Sequence, residues 1–495
     1  MIRTTFSLGI LLAAILPAIA TDINTVSYWP QFLGTDGMSN APFQSIPTHF
    51  GPEENLLWKI EAPEGHASPV IWGDQLFLSG YRNNDRVMLA INRKDGSTIW
   101  KRTEQSHGEE EFTHRLASPA ESTPCTDGKR VYFYFGNYGL IVLNVDGSLA
   151  WEKRMPKPRT GMGTGTSPIL YDNLLILNRD GTDDPCILAL DKETGETIWK
   201  HPRIGYSTSH STPFIWGNTL RTELIIAGSR ALVSLEPLTG KLIWKVEDTN
   251  AFPCTTPVAT KDLLLFAAWS ANSAESRDKL EAHFDDDLKI TDEEMHNPEL
   301  FFKRFDKDND GAISKSEMPE SRARDVFEWL DRNDNQLWET DEFSLLTRPI
   351  GRGRNLMVAI RPGGTDILND TEFIAWEWKK DLPYVATPLV SEDHVYLVKS
   401  MGIVTCLDID TGEPIFQSQR TGVKGEYFSS PIKADNKILL ASNQGSLFVI
   451  EDGTDFNVLA HNTINEEIIS SPAVVDNTLY VRSIKSLWAF KDTLP

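Results

Sequence analysis

Apolar and polar positions along this chain fall into one phrase that recurs with small variations: an apolar run, a turn ending in Gly, then a strand carrying Trp. At 187–199 it reads Ile187-Leu188-Ala189-Leu190-Asp191-Lys192-Glu193-Thr194-Gly195-Glu196-Thr197-Ile198-Trp199. Two aliphatic or β-branched runs flanking a four-residue turn signal a hairpin. The Gly supplies the positive φ that closes the turn, and the Trp is a large apolar anchor one strand later. The phrase returns as Leu89…Gly96…Trp100, Ile141…Gly147…Trp151, Leu232…Gly240…Trp244 and Val404…Gly412…Phe416.

A second phrase confirms the period. A small hydroxyl residue followed by Pro opens an apolar strand at Ser68-Pro69, Thr123-Pro124, Ser167-Pro168, Thr212-Pro213, Thr256-Pro257, Thr387-Pro388, Ser430-Pro431 and Ser471-Pro472. Pro fixes φ and lacks a donor, so it suits the first residue of a strand. The prolines are 55, 44, 45, 44, 131, 43 and 41 residues apart, and the one long gap exceeds an ordinary repeat by 87 residues. The fifth unit therefore holds an insertion.

Each unit predicts four short strands; in the first these are A (Val70–Trp72), B (Leu76–Gly80), C (Val87–Asn92) and D (Ser97–Lys101). Leu56-Leu57-Trp58-Lys59-Ile60 reads as the last strand of a unit whose beginning is missing, and the eighth unit, Ser471 to Lys491, stops before its own Trp strand. Pairing the two fragments closes a ring and removes the open seam. A linear solenoid would need capping repeats instead. The expectation is an all-β, eight-bladed β-propeller of four-stranded blades, with a small all-α insertion in blade five. Its predicted layout is a signal peptide at 1–20, a lead-in at 21–55, propeller at 56–270, the insertion at 271–350 and propeller again at 351–495.

The first twenty residues carry Arg3, an apolar run from Phe6 to Leu16 and Ala18-Ile19-Ala20 before Thr21. That pattern predicts a secretory signal cleaved after Ala20, since the run is too short to span a bilayer. No later stretch is long and apolar enough to cross a membrane, so the mature chain is expected to be soluble and periplasmic or secreted. A net charge of −22 argues against nucleic acid and anionic lipid as partners. Cys125, Cys186, Cys254 and Cys406 are widely spaced. Four cysteines allow three pairings, but each lies in or beside an apolar strand, which favours free buried thiols.

The loops joining D to the next A collect polar and aromatic residues: His66, His107, His114, Arg159, Arg203, Tyr206, His210, Tyr384, Lys424 and Tyr427. Loops on a rigid scaffold are where binding groups usually sit. The two imidazoles of His107 and His114 match no specific metal spacing. Gly161-Met162-Gly163-Thr164-Gly165 lacks the Lys and helix of a phosphate loop and reads as a flexible connection.

The insertion carries the sharpest chemical signal. Residues 306–317, Asp-Lys-Asp-Asn-Asp-Gly-Ala-Ile-Ser-Lys-Ser-Glu, fit the EF-hand calcium loop. Ca²⁺ is a hard cation that takes six to eight oxygens. Asp306, Asp308 and Asp310 offer carboxylates, Ala312 its carbonyl, Ser314 the ninth position and Glu317 two closing oxygens, while Gly311 permits the sharp turn. Leu300, Phe301, Phe302 and Phe305 supply an apolar face to the preceding helix. A second loop at 331–342 offers Asp331, Asn333, Asn335, the Leu337 carbonyl and Glu342. It departs from the pattern in Gln336, where Gly is expected, and in Trp338. Its neutral amides predict weaker binding, or a loop that only completes the pairing. Residues 279–346 hold 20 acidic against 9 basic side chains, half of the formal negative charge. Asp285-Asp286-Asp287 reads as a solvated helix start. Leaving after strand B and returning at strand C puts the insertion on the face of the D–A loops, with its calcium pair expected at or beside the channel mouth.

The repeat Ala189-Leu190-Asp191-x-x-Thr194-Gly195-x-x-x-Trp199 resembles the PQQ-type propeller repeat, and the resemblance covers nearly all of 56–491 outside the insertion. Quinoprotein alcohol and glucose dehydrogenases share this repeat, as does the propeller lipoprotein of the outer-membrane β-barrel assembly machinery. Trp29-Pro30-Gln31-Phe32 is similar to the opening of exported bacterial members. The dehydrogenase resemblance implies PQQ, a carboxylate base and adjacent cysteines forming a disulfide beside the quinone. This chain has no Cys-Cys pair, no catalytic residue is assigned, and no Cys follows the cleavage site for a lipid anchor. Three classes follow: a non-catalytic propeller binding a protein or polysaccharide at the D–A face, a PQQ-dependent dehydrogenase of alcohols or sugars, and a scaffold in which calcium is purely structural. The first is favoured, because fold alone does not carry an activity.

Overall fold

The computed structural model describes residues 28–492 apart from 84, 106–116, 157–159, 161–162, 182–183, 204–205, 207, 271–290, 292, 295–296, 321–323, 325–326, 328–330, 332–334, 341 and 343–352. The expected signal peptide and the Asp285-Asp286-Asp287 cluster lie outside the described residues. Eight antiparallel sheets in the strand order A-B-C-D form the blades of a closed propeller. In blade 1 these strands are Val70–Trp72, Gln75–Arg82, Asp85–Asn92 and Thr98–Glu104. Blade 8 takes its D strand from the start of the chain, where Leu56–Glu61 pairs antiparallel with Ser486–Phe490. Alternation of strand direction puts every D–A and B–C connection at one end of the ring.

Burial explains the pattern of each strand. The central strands are covered on both faces by neighbouring blades, so Leu174–Arg179 is buried throughout and reads as a continuous apolar run. The outer strand Thr197–Pro202 has Trp199 buried between exposed neighbours. Each such Trp docks on the next blade. The indole N–H of Trp58 donates to Arg93 O, Trp100 to Val145 O, Trp151 to Lys192 O, Trp199 to Pro237 O and Trp376 to Ile409 O, at 2.9–3.1 Å. The turn Gly two or three residues later lies flat on the same ring. A Cβ on Gly96, Gly147, Gly195, Gly240 or Gly412 would come within 2.5–3.0 Å of the preceding blade's indole. The repeated Gly is thus required twice, by its positive φ and by this close approach.

The fifth blade breaks the series. Its C–D connection is rebuilt around Asp366–Ile367, which adds a parallel fifth strand to blade 4, and Trp244 donates instead to the buried carboxylate of Glu223 at 2.6 Å. The chain between strands B and C of this blade runs from the end of Leu264–Ala268 to the start of Leu356–Ile360. Its described residues contain the helix Pro298–Phe305, further helical residues at 293–294, 324, 327, 340 and 342, and, beyond the expected helices, a two-stranded sheet joining Ile313–Ser314 to Leu337–Trp338. The sheet forms because each of its two loops presents one extended pair of residues to the other.

The lead-in is structural rather than peripheral. Tyr28–Trp29 pairs antiparallel with strand A of blade 1, and Asn40–Ala41 pairs parallel with strand A of blade 7. The segment between them is a run of turns that plugs the channel against the innermost strands, where the Pro30 carbonyl accepts the Thr126 N–H at 2.8 Å. Gly34 caps the Trp29 ring, where a Cβ would sit 2.9 Å from the indole, and Leu33 is fully buried.

Candidate functional site

The hydroxyl residues that precede the strand-A prolines form a girdle around the channel. Backbone N–H groups of Ser68, Thr123, Ser167, Thr256, Thr387, Ser430 and Ser471 donate to the side-chain oxygens of Thr123, Ser167, Thr212, Thr387, Ser430, Ser471 and Ser68, at 2.8–3.1 Å. Seven of the eight blade junctions are thereby gripped at their innermost point; Thr212 and Thr256, between blades 4 and 5, are not joined in this way. The Ser/Thr-Pro phrase is plain in the sequence, but this use of the hydroxyl appears only when the blades are in a ring.

Above the girdle, on the D–A face, lies a cup of about 170 Å³ with Phe32 of the plug in its floor. Its walls carry His66, Glu121, His210, Cys254, Tyr384 and Phe428. His66 Nδ1 is 3.7 Å from Glu121 Oε1, which also accepts the Ser118 N–H at 3.0 Å. Gly165 lets His210 approach, since a Cβ there would lie 3.0 Å from the His210 Cβ. Tyr384 stands edge-on between Trp269 at 5.8 Å and Phe428 at 6.4 Å. Burial, with the Glu121 charge adding to it, pushes the Cys254 thiol up to about 12. The Tyr384 phenol is raised first by its proximity to Cys254 and then by burial. Both stay protonated at neutral pH, so neither is an activated nucleophile or base. All four cysteines are free.

The D–A residues singled out in the sequence divide three ways. His66, His210 and Tyr384 converge in the cup. Arg203 and Tyr206 serve the frame: Arg203 forks onto the buried Asp180 at 2.7 and 2.9 Å and stacks 3.7 Å above the Tyr206 ring. Tyr427 is buried, its hydroxyl engaged by Thr421 and Val423, while Lys424 is exposed. His107, His114, Arg159, Gly161 and Met162 lie outside the described residues. Glu121 was not singled out, because a lone acid in a polar loop carries no signal.

The insertion is tied to the cup through its stem. Asn355 accepts the Ser270 N–H at 2.9 Å, donates to the Ser270 carbonyl at 3.0 Å and accepts from Asn250 of the preceding D–A loop at 2.8 Å. Trp269, which packs on Tyr384, is next to Ser270 in the chain.

The two acidic loops have matching internal bonds. In the first, Asp306 accepts the N–H groups of Asn309 and Gly311 at 2.6 and 3.0 Å, and Asp310 accepts that of Ala312 at 2.8 Å. In the second, Asp331 accepts from Asn335 and Gln336 at 3.0 and 2.7 Å, and Asn335 accepts from Leu337 at 2.9 Å. Each closing glutamate accepts the N–H three residues before it: Glu317 from Ser314 at 2.7 Å, Glu342 from Glu339 at 3.1 Å. Gly311 and Gln336 hold equivalent positions at φ of +90° and +65°. The Ser314 N–H, helped by other loop donors, holds the Glu317 carboxyl down at about 2. Asp308 accepts the Asp310 N–H, yet burial and the charges of Asp310, Glu317 and Asp306 raise it. Carboxylate oxygens of Asp306, Asp308 and Glu317 lie within 4.8 Å of one another, the one such group among the described residues. Ile313 pairs with Trp338, whose ring stacks 4.9 Å from Phe327 within a core that includes Phe301, Phe302, Phe305 and Met318. Asn333 lies outside the described residues.

Fold and girdle define a closed eight-bladed propeller of the PQQ-like repeat class, with a plugged channel. The family model described as outer membrane protein assembly factor BamB matches residues 103–184 and 323–493, just over half of the 495 residues. The chain belongs to that family. Among solved structures it is similar to BamB from Moraxella catarrhalis, at 12% identity and TM-score 0.52 over 88% of this chain and 99% of that one. A europium-containing methanol dehydrogenase aligns at 9% identity and TM-score 0.54, covering 94% and 98%. Quinohemoprotein alcohol dehydrogenase from Comamonas testosteroni aligns at 11% and 0.52, covering 94% and 81%. At these identities the likeness is one of fold. No curated protein matches the chain.

Proposed function

We propose that this chain is an exported, calcium-loaded propeller that binds a partner at the D–A face and catalyses no reaction there. The observation that carries the reading is the cup itself. Its thiol and phenol are held protonated, and its wall combines aromatic rings with one carboxylate and two imidazoles. That lining suits recognition better than bond-making. The family's description as an assembly factor supports a protein partner over a polysaccharide.

Calcium belongs to the proposal through the two loops. Their matched bonds and the paired strands between them support an EF-hand pair, with Asp306, Asp308, Asp310, Ala312, Ser314 and Glu317 as ligands of the stronger site. Asp331, Asn333, Asn335, Leu337 and Glu342 would form the weaker one. Crowded carboxylates that repel one another in the absence of a cation are what calcium relieves. The Asn355 clasp and the Trp269–Tyr384 contact give the calcium module a short mechanical path to the cup.

The quinone reading fares worse on this structure. PQQ is a tricarboxylate, and no Lys or Arg is among the described residues lining the cup, whose fixed charge is the carboxylate of Glu121. Cys254 stands alone and cannot form a disulfide between adjacent residues. These residues do not fit PQQ. The test is a titration of the mature protein with PQQ, with and without calcium, followed by dye-linked oxidation of alcohols and sugars. Absence of binding and turnover, together with calcium uptake reduced in Glu317→Gln, is expected. Saturable PQQ binding with turnover would overturn the proposal.

A further inference from the structure

The cup carries a carboxylate oxygen that nothing among the described residues engages. The Glu121 side chain is only 15% exposed, and its contacts with the Ser118 N–H and with His66 Nδ1 both fall on Oε1. The His66 contact, at 3.7 Å, is too long for a hydrogen bond. Oε2 accepts no hydrogen bond among the described residues, and Glu121 lines the cup. Its surroundings are fixed. The N–H groups of His66 and Ala67 both donate to Ala120 O, at 3.1 and 3.2 Å, and Arg482 holds the same loop by donating to Ala67 O at 2.6 Å and Pro63 O at 2.9 Å. Gly65 permits this, since a Cβ there would lie 2.8 Å from the Arg482 guanidinium. Burial and then the Glu121 charge raise the Cys254 thiol, while Cys254, burial and then the Glu426 charge raise the Tyr384 phenol. Two carboxylates thus act on the space that the aromatic rings line. At about 170 Å³ the cup falls below the roughly 300–1,000 Å³ of pockets for whole small molecules, and its size suits one long side chain.

Resting on the scaffold reading, we propose that the cup receives one arginine side chain of the protein partner, its guanidinium paired with the Glu121 carboxylate among the rings of Phe32, Tyr384 and Phe428. The planar fork of a guanidinium matches a carboxylate. Aromatic rings attract a cation through their quadrupole, and the attraction grows where water is excluded. A guanidinium is also more weakly hydrated than an ammonium, so a lining that includes Val385 and Ile469 costs arginine less than lysine. The partner's charge replaces a counter-ion that the described lining does not supply. A chain of net charge −22 draws a basic partner toward it, and a desolvated arginine anchor is a common source of interface affinity.

The probe is arginine blocked at both ends, as the N-acetyl, N-methylamide derivative, titrated by calorimetry into the full mature protein with calcium present. Saturable binding in the millimolar range is expected. Blocked lysine should bind more weakly, and blocked citrulline, which keeps the shape without the charge, should not bind. Glu121→Gln keeps an oxygen for the Ser118 N–H and should weaken blocked arginine about tenfold or more. Should that variant fail to fold, Phe428→Leu keeps the carboxylate and should weaken binding several-fold. No saturable binding of blocked arginine, equal binding of blocked lysine or citrulline, or unchanged affinity in Glu121→Gln would overturn the proposal. A parallel PQQ titration separates the two readings. PQQ binding with turnover would overturn the scaffold reading and this inference with it, whereas no response to either probe would remove the arginine alone.

Discussion

Ser471 donates its backbone N–H to the hydroxyl of Ser68 at 3.0 Å, joining residues 403 apart in sequence. That bond closes the girdle on the inside of the ring, as Leu56–Glu61 closes blade 8 on the outside. Two seals at opposite edges of one sheet hold the seam between the chain's two ends.

The inner seal is testable by deletion of its hydroxyl. Ser68→Ala leaves the buried Ser471 N–H without an acceptor, and urea denaturation should show a loss of about 1–3 kcal/mol. Thr256→Ala removes a buried hydroxyl that has no partner, so it should cost no stability and can raise it. Equal losses would mean that the girdle bonds carry no stability.

The blade contact predicts a sharp asymmetry among glycines. Gly195 sits at φ +74°, and a Cβ there would lie 2.8 Å from the Trp151 ring. Gly195→Ala adds left-handed strain of about 1 kcal/mol to overpacking of about 1–3 kcal/mol. Gly217 has an ordinary φ and no atom within 4 Å of the added methyl, so Gly217→Ala should be nearly neutral. Thermal melts of the two variants decide the point.

Much of this frame is legible in the amino-acid sequence, because it repeats. Gly195 and Trp199 recur with their spacing, and Leu56–Ile60 is a Trp strand without a hairpin, so ring and closure follow from counting. The lead-in cannot be read that way. Trp29 and Leu33 are buried against strands that share no local pattern with them, and a short polar stretch with Gly and Pro looks like a surface segment. The cup is legible only in fragments. His66, Glu121, His210, Cys254 and Tyr384 come from several D–A loops, and nothing in linear spacing brings such residues together. The acidic loop at 306–317 is different, since all of its donors lie within twelve consecutive residues.

Trp338 looks out of place in its loop, yet it is a keystone of the insertion. Its ring lies parallel to Phe327, and its N–H donates to the Phe327 carbonyl at 3.0 Å. Trp338→Ala should remove about 3–5 kcal/mol of packing from this small core. Calcium affinity should fall and protease sensitivity rise within 291–342, while the main propeller melting transition stays in place. Loss of the propeller transition as well would show that the insertion is part of the main cooperative unit.

The contact between blades 6 and 7 should weaken in acid. Asp452 accepts hydrogen bonds from Lys433 at 2.6 Å and from Tyr396 at 2.7 Å, and another from Ser391. Burial by itself would raise this carboxyl, but the bonds from Lys433, Ser391 and Tyr396 outweigh burial and hold it below its ordinary 3.8. An acid depressed in the folded state binds fewer protons there than in the unfolded chain. Its contribution is therefore complete above pH 3.8 and disappears as pH falls through the lower, folded value. Asp452→Asn should lose about 1.5–3 kcal/mol at neutral pH, the usual worth of hydrogen bonds to a charged group. Below pH 3.8 the native and variant denaturation curves should converge. A gap that persists unchanged into acid would mean that the amide fails for reasons of shape, and that the Asp452 charge does not hold these blades together.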